Sequence, residues 1–335
     1  MPHNSLRQCR IGRWALVVGL FFCAGPATAY ETDDGAMKRR QQGILTGMPF
    51  MANVVPRTFV DDLGRKLYLA KVPNRLVSLA PSITETLYAI GLGDRVVGVT
   101  DFCDYPPDAR SKPKVGYARP NLETIVALQP DLVLAPQDFI RPDVLGKLEQ
   151  LKIPTFIVEA KTVEDIASRI QTIGRMLGQP ESGDRVAMEL RGRVNALKAR
   201  TQALSRPRVL YVLNSQPLIT VGPGSFIDQL IEMAGGANVA ARALSPYPRL
   251  SMEAVLAHDP EVIIFPVGTS EGISHEEQSL WRRWNTIAAV KTGSFHQIPS
   301  DLLNRPGPRI ILGLEKLVEI IHPEQFAPSD SPPRR

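Results

Sequence analysis

The chain has 335 residues, 44% hydrophobic and 22% charged, with a formal net charge of +5. That length exceeds what one core usually serves, so two domains are expected. The basic residues are dispersed without a dense run, which argues against a nucleic-acid binder.

Residues 1–29 have the form of a secretory signal peptide. Arg7, Arg10 and Arg13 precede an apolar run from Trp14 to Ala24, and Ala27-Thr28-Ala29 supplies an A-x-A cleavage site. The run is shorter than the ~20 residues of a membrane span. Its removal leaves 306 residues, a net charge of +2 and Cys103 as the single cysteine. One cysteine makes neither an intrachain disulfide nor a CxxC metal site. Cys103 reads as a small buried hydrophobe.

Residues 30–56 lack any period and read as a loose leader. Residues 58–70 read as a hairpin around Asp62-Leu63-Gly64. A buried strand follows over 76–80. Ser82-Ile83-Thr84-Glu85 has the form of a capping box and predicts a helix start; Gly91 and Gly93 end that helix. Strands are predicted over 96–99, 132–135 and 153–158. Between them Asn121 caps a helix over 122–128, and Pro142 opens one that reaches Leu151. Strands alternating with helices predict a parallel α/β sheet.

Residues 162–204 are helical in composition, with a break at Gly178-Gln179-Pro180. The piece over 181–204 predicts a helix of roughly 36 Å, about the length of a small domain. After Pro207 the alternation restarts. A strand over 209–213 is followed by the turn Gly222-Pro223-Gly224 and a helix capped by Ser225. Ser251 caps another helix, and a strand follows over 262–265.

The restart copies the first half. Residues 121–136, NLETIVALQPDLVLAP, align without a gap on residues 251–266, SMEAVLAHDPEVIIFP. Glu123 lies over Glu253, Pro130 over Pro260 and Pro136 over Pro266. Glu85 and Asp228 correspond at a different offset. The expected organisation is a lobe over 57–180, a connecting helix over 181–204, a second lobe over 205–326 and a tail over 327–335.

Two such lobes suggest a cleft, and ligands of parallel sheets lie beyond the carboxyl ends of the strands. The loops there carry Pro81, Ser82, Phe102, Tyr105, Gln137, Phe139 and Arg141, and then Asn214, Gln216, Pro217 and 301–305. The loops before the repeated helices add Tyr117 and Arg119, and Tyr247 and Arg249. Rings with a few arginines suit a large flat or anionic ligand. Catalytic sets are absent from the pattern. His258, His275, His296 and His322 are scattered, with His258 read as packing, and no HExxH, G-x-S-x-G or phosphate loop occurs. No enzyme activity, cofactor or metal site is expected.

The run RLVSLAPSITETLYAIGLGDRVVGVTDFCDYPPDAR, with KPKVGYARPNLETIVALQPDLVLA, LSMEAVLAHDPEVIIF and RPGPRIILGLEKL, resembles the periplasmic binding proteins of cobalamin and iron–siderophore ABC importers. The resemblance covers 58 to about 326 and is nearest the cobalamin branch through DYPP and PNLE. It implies two Rossmann-like α/β lobes joined by a single long interdomain helix. It also implies a periplasmic monomer that hands a corrinoid or ferric siderophore to a membrane permease. Phe102 and Tyr247 match aromatic ligand contacts of the cobalamin binder, and Tyr117 falls near a third. Leu302 stands where that binder carries tryptophan. Arg119 and Arg305 are expected to line the cleft with these rings. Glu123 and Glu253 match the carboxylates that dock on the permease. The rival readings are an exported metal-dependent hydrolase and a carrier of haem or a metal ion. Trp281 and Trp284, on an expected helix, read as packing.

Overall fold

The computed structural model describes residues 57–117, 119–138, 140–268 and 273–325. The expected signal, leader and tail lie outside the described residues, as does Phe139.

Strands β1 (Arg57–Val60) and β2 (Lys66–Leu69) form an antiparallel hairpin. Asp61 closes it by accepting the Leu63 and Arg65 N–H groups and pairing with the Arg65 guanidinium at 2.6 Å. The first lobe then runs β3 (Leu76–Ser78), α1 (Pro81–Ala89), β4 (Val96–Val99), α2 (Leu122–Ala127), β5 (Leu132–Pro136), α3 (Pro142–Gln150) and β6 (Thr155–Val158). Its sheet is parallel throughout, in the order β4-β3-β5-β6. Helices α4 (Val163–Met176) and α5 (Pro180–Thr201) come next and lead to the second sheet.

The second lobe opens with β7 (Arg208–Tyr211) and a small antiparallel pair, β8 (Asn214–Ser215) and β9 (Leu218–Ile219). It continues with α6 (Phe226–Met233), β10 (Ala237–Asn238), α7 (Met252–His258), β11 (Val262–Val267), α8 (His275–Leu280) and α9 (Ala288–Thr292). It ends with β12 (Phe295–Pro299), α10 (Asp301–Asn304) and α11 (Ile310–Ile321). Its parallel sheet has the order β10-β7-β11-β12, which repeats the first sheet strand for strand.

The sequence repeat is therefore α2–β5 copied as α7–β11, and the copy extends to single hydrogen bonds. Asn121 caps α2 by accepting from the Thr124 N–H, and Ser251 caps α7 by accepting from Ala254. Ile125 and Val255 are the fully buried residues of the two helices. Gln129 and Asp259 both turn the chain with positive φ, 46° and 45°. Asp131 accepts the Arg75 N–H, and Glu261 accepts the Arg208 N–H. Each of those arginines returns its guanidinium to the last carbonyls of the repeated helix: Leu128 and Gln129 in one lobe, His258 and Asp259 in the other. Packing needs alone would preserve the apolar positions. They would not select the same arginine fork on the same two carbonyls, so the two lobes are a duplication.

Both sheets are buried on both faces, as parallel sheets are. Leu132 and Leu134 of β5 face one side and Val133 and Ala135 the other; Val262 and Ile264 of β11 oppose Ile263 and Phe265 in the same way. The inward faces do not form separate lobe cores. One apolar cluster runs from Leu87 and Ile170 through Leu190, Val194 and Leu197 of α5 to Leu230, Ile264 and Leu317. Helices α4 and α5 meet through glycine. A Cβ on Gly183 would lie 3.1 Å from the Ile170 carbonyl and 3.2 Å from the Gly174 Cα.

Two local expectations change. The capping box is not formed: Ala80 is the N-cap of α1, extended at φ −153° and ψ 147°, with no side-chain cap. Pro81 decides this, because it restricts Ala80 to extended backbone and is itself preformed for the first helical position. Ser82 thus lies inside the helix and Glu85 turns into the protein, where it is buried. His258 is exposed rather than packed, since Val255 supplies the inner contact of α7. The tryptophans pack as expected, Trp281 opening a short 3-10 helix after α8 and Trp284 capping its end; Trp281 is buried edge-on against Phe265, with ring centroids 6.0 Å apart. Cys103 is buried as read, with the Thr84 and Thr100 hydroxyls on its sulfur at 3.2 and 3.0 Å.

Candidate ligand-binding cleft

The carboxyl ends of the two sheets face each other, and the contacts that bring them together are charged. The segment after β12 carries Arg305 and Arg309. Arg309 forms a two-pronged pair with Glu85 of α1, Nε to Oε2 at 2.8 Å and Nη2 to Oε1 at 2.6 Å. Arg305 donates to Glu85 at 3.3 Å and to Asp104, in the loop after β4, at 2.6 Å. It also pairs with Asp301 of its own lobe at 3.0 Å. Between the arginines the chain comes so close that a Cβ on Gly307 would lie 3.1 Å from the Ser82 carbonyl.

Burial raises the Asp104 carboxyl, but the hydrogen bond and charge of Arg305 outweigh it and hold the group below its ordinary range. For Arg309 burial opposes the charge, and the Glu85 carboxylate more than restores it.

Aromatic rings stand around this floor. Phe102 and Tyr117 meet edge to face, with centroids 4.8 Å apart at 79°. Tyr105 lies under the Arg309 guanidinium, 3.9 Å from its ring centre, a cation–π contact between the lobes. Phe102, Tyr105 and Tyr247 are 39%, 44% and 56% exposed, which is unusual for rings that could have been buried. Tyr247 sits in a segment that pairs with the end of β9, through Thr220 N–H to the Pro248 carbonyl and Leu250 N–H to the Leu218 carbonyl.

The structure thus joins Phe102 to Tyr117, and Arg305 to Glu85 and Asp104. Arg119 and Tyr247 are exposed on loops and make no ring contact or ion pair among the described residues. The offset of 130 that relates the repeats also relates Tyr117 to Tyr247 and Arg119 to Arg249, so each lobe offers the same Tyr-x-Arg before its repeated helix. Glu123 and Glu253 are exposed in the first turns of α2 and α7. The Ser251 hydroxyl holds the Glu253 carboxyl below its ordinary range.

Sequence reasoning overlooked Glu85 and Arg309 as site residues. A signal was present: RPGPR places two arginines four apart around a proline–glycine turn, and Glu85 is the single charged residue of its helix. A groove of about 420 Å³ also exists where α4, α5 and α6 meet, lined by Val163, Leu190, Val194 and Met233. Helix flanks form it rather than strand-end loops, so it is not the cleft. Among the described residues no group of His, Cys, Asp or Glu could hold a metal ion, and no helix is long and apolar enough to cross a membrane.

Known proteins share this architecture. The chain is 35% identical over 256 residues to the vitamin B12-binding protein of Vibrio parahaemolyticus, covering 76% of this chain and 91% of that one. The crystal structure of the periplasmic vitamin B12 binding protein BtuF of Vibrio cholerae superposes with a TM-score of 0.67 at 32% identity, over 76% of this chain and 99% of that chain. The periplasmic heme-binding protein RhuT from Roseiflexus gives a TM-score of 0.67 at 25% identity, over 75% and 98%. Relatives of this kind are transport binding proteins and not enzymes. The periplasmic binding protein family model matches residues 76–302, which takes in both sheets and both copies of the repeat, and the chain belongs to that family.

Proposed function

We propose that the chain is the periplasmic solute-binding component of an ABC importer and that it captures a cobalamin-like corrinoid between its lobes. The observation that carries this reading is the set of exposed rings, Phe102, Tyr105 and Tyr247, at the facing carboxyl ends of two parallel sheets. Rings left in water at such a place offer apolar faces to a large flat ligand. Phe102 and Tyr117 form one wall, and Tyr247 belongs to the other lobe. Arg119 and Arg249, in no ion pair among the described residues, supply guanidinium groups for amide or acid oxygens on the ligand rim. Arg305 acts at the floor through Asp104. Residues 1–29 serve as the export signal, and the mature chain works as a monomer with the lobes over 57–180 and 205–326.

The similarity to vitamin B12-binding proteins of Vibrio supports the corrinoid over its alternatives. A specific observation favours haem or a ferric siderophore as the second reading. By the family resemblance Leu302 stands where the cobalamin binder carries tryptophan, and a heme-binding structure matches at the same TM-score as the vitamin B12 binder.

Calorimetric titration with cyanocobalamin, haemin and a panel of ferric siderophores tests the reading. Cyanocobalamin is expected to bind, and Phe102→Ala is expected to weaken it by about 1–3 kcal/mol, a typical loss for a ring in a ligand wall. Binding of haemin alone would transfer the function to the second reading. Heat from none of the ligands would remove both.

A further inference from the structure

Two seams join the lobes, and the duplication makes them comparable. At one, α1 of the first lobe meets the segment after β12 of the second. At the other, α6 of the second lobe meets the start of α4, which follows β6 of the first. The hydrogen bond across the second seam is uncharged: Gln229 of α6 accepts the Val163 N–H at 3.2 Å. Asp228, the residue equivalent to Glu85, turns instead to Asn238 of its own lobe at 2.6 Å.

The first seam is charged and dry. The Glu85 side chain is 2% exposed, Arg305 12% and Arg309 18%. Taken apart, neither face balances. The first lobe presents Glu85 and Asp104 against Arg110, one net negative charge. The second presents Arg305 and Arg309 against Asp301, one net positive charge. Only contact between the lobes gives Glu85 its partners.

The same carboxylate reaches the cleft wall twice. Through Arg305 it is tied to Asp104, and through Arg309 to the ring of Tyr105. Asp104 and Tyr105 are consecutive residues of one loop in Glu85's own lobe. The circuit therefore leaves the first lobe, passes through two arginines of the second and returns to the first.

We propose that Glu85 is the positioning residue of the cleft. Without touching ligand, it fixes Arg305 and Arg309 so that they hold Asp104 and Tyr105 in the ligand-facing wall and keep the lobes together in the ligand-free protein. A wall assembled before the ligand arrives slows its escape, because leaving requires the charged seam to part. Rupture of a buried hydrogen-bonded charge pair acts mainly on dissociation. The kinetic part of this inference rests on the corrinoid reading above; the part about the ligand-free protein does not.

Amide hydrogen exchange on ligand-free protein and stopped-flow kinetics with cyanocobalamin test it together, using Glu85→Gln. That variant keeps the shape of the side chain and removes its charge. Exchange is expected to quicken in 100–106 and 305–310 while 132–136 stays protected. Cyanocobalamin is expected to leave roughly tenfold faster, with its association rate changed by less than about twofold. Wild-type exchange in both segments, or an unchanged dissociation rate, would reduce Glu85 to an ordinary core ion pair and overturn the proposal. Should Glu85→Gln fail to fold, Arg309→Lys and Asp104→Asn leave Glu85 in place and must show the same local loosening. If cyanocobalamin does not bind wild-type protein, the corrinoid reading fails, and the exchange measurement still decides the role of Glu85.

Discussion

Single side chains set the chemistry of this molecule against its ordinary tendencies, and His296 is one whose effect can be read by pH. Its ring nitrogen Nε2 lies 3.1 Å from the Ser294 hydroxyl. Burial, and then the charge of Lys316, push the imidazole below its ordinary value of 6.5. The unfolded chain therefore takes up a proton at a higher pH than the folded one. Stability contributed by the neutral ring is present above pH 6.5 and is lost as pH falls from there toward the folded value. His296→Gln is expected to flatten the pH dependence of the urea midpoint below that point. Parallel slopes for the variant and wild type would show that His296 titrates alike in both states.

At the scale of elements, glycines decide how helices meet. Gly183 lies against the Gly174 backbone, whereas Gly192, further along the same helix α5, has open space around it. Gly183→Ala must force α4 and α5 apart, at a cost of about 1–3 kcal/mol. Gly192→Ala should do the opposite, because alanine is the better helix former by up to about 1 kcal/mol. Denaturant titrations of the pair check this. Equal effects would mean that packing at Gly183 is slack.

Most of these elements were legible in the sequence, since apolar runs, Asn121, Ser225 and Ser251 mark starts by local chemistry alone. The start of α1 was misread because S-x-x-E spacing is satisfied by Ser82 and Glu85 wherever the helix begins. The competing signal, Pro81, is one residue away and wins through backbone geometry. Phe102, Tyr117 and Tyr247 could be placed on loops from the order of strands. The partnership of Glu85 with Arg309 could not be, because it joins residues 224 apart whose meeting depends on how two lobes close. The Tyr-x-Arg copy was readable at the same offset as the repeat itself.

For the whole molecule, the duplication places Glu123 and Glu253 in matching first turns, exposed and available to a partner built from two related halves. A carboxylate there also suits the helix dipole, but water screens so exposed a charge, so stability alone gives little reason for both. Glu123→Ala combined with Glu253→Ala is expected to leave ligand affinity nearly unchanged and to reduce uptake through the cognate permease strongly. Normal uptake by the double variant would leave the two residues as helix starts only. Loss of ligand binding would place them in the cleft.

The continuous apolar cluster through α5 separates two kinds of evolutionary freedom. Residues such as Leu190, Val194 and Ile264 answer to both lobes at once, so change among them is constrained from two sides. Phe102 and Tyr247 are exposed in part and outside that cluster, and their replacement costs the folded state little. Ligand preference can therefore drift by exchange of rim residues while the scaffold stands still. A vitamin B12 binder and a heme binder that each match this chain at a TM-score of 0.67 are the pattern such a division of labour would leave.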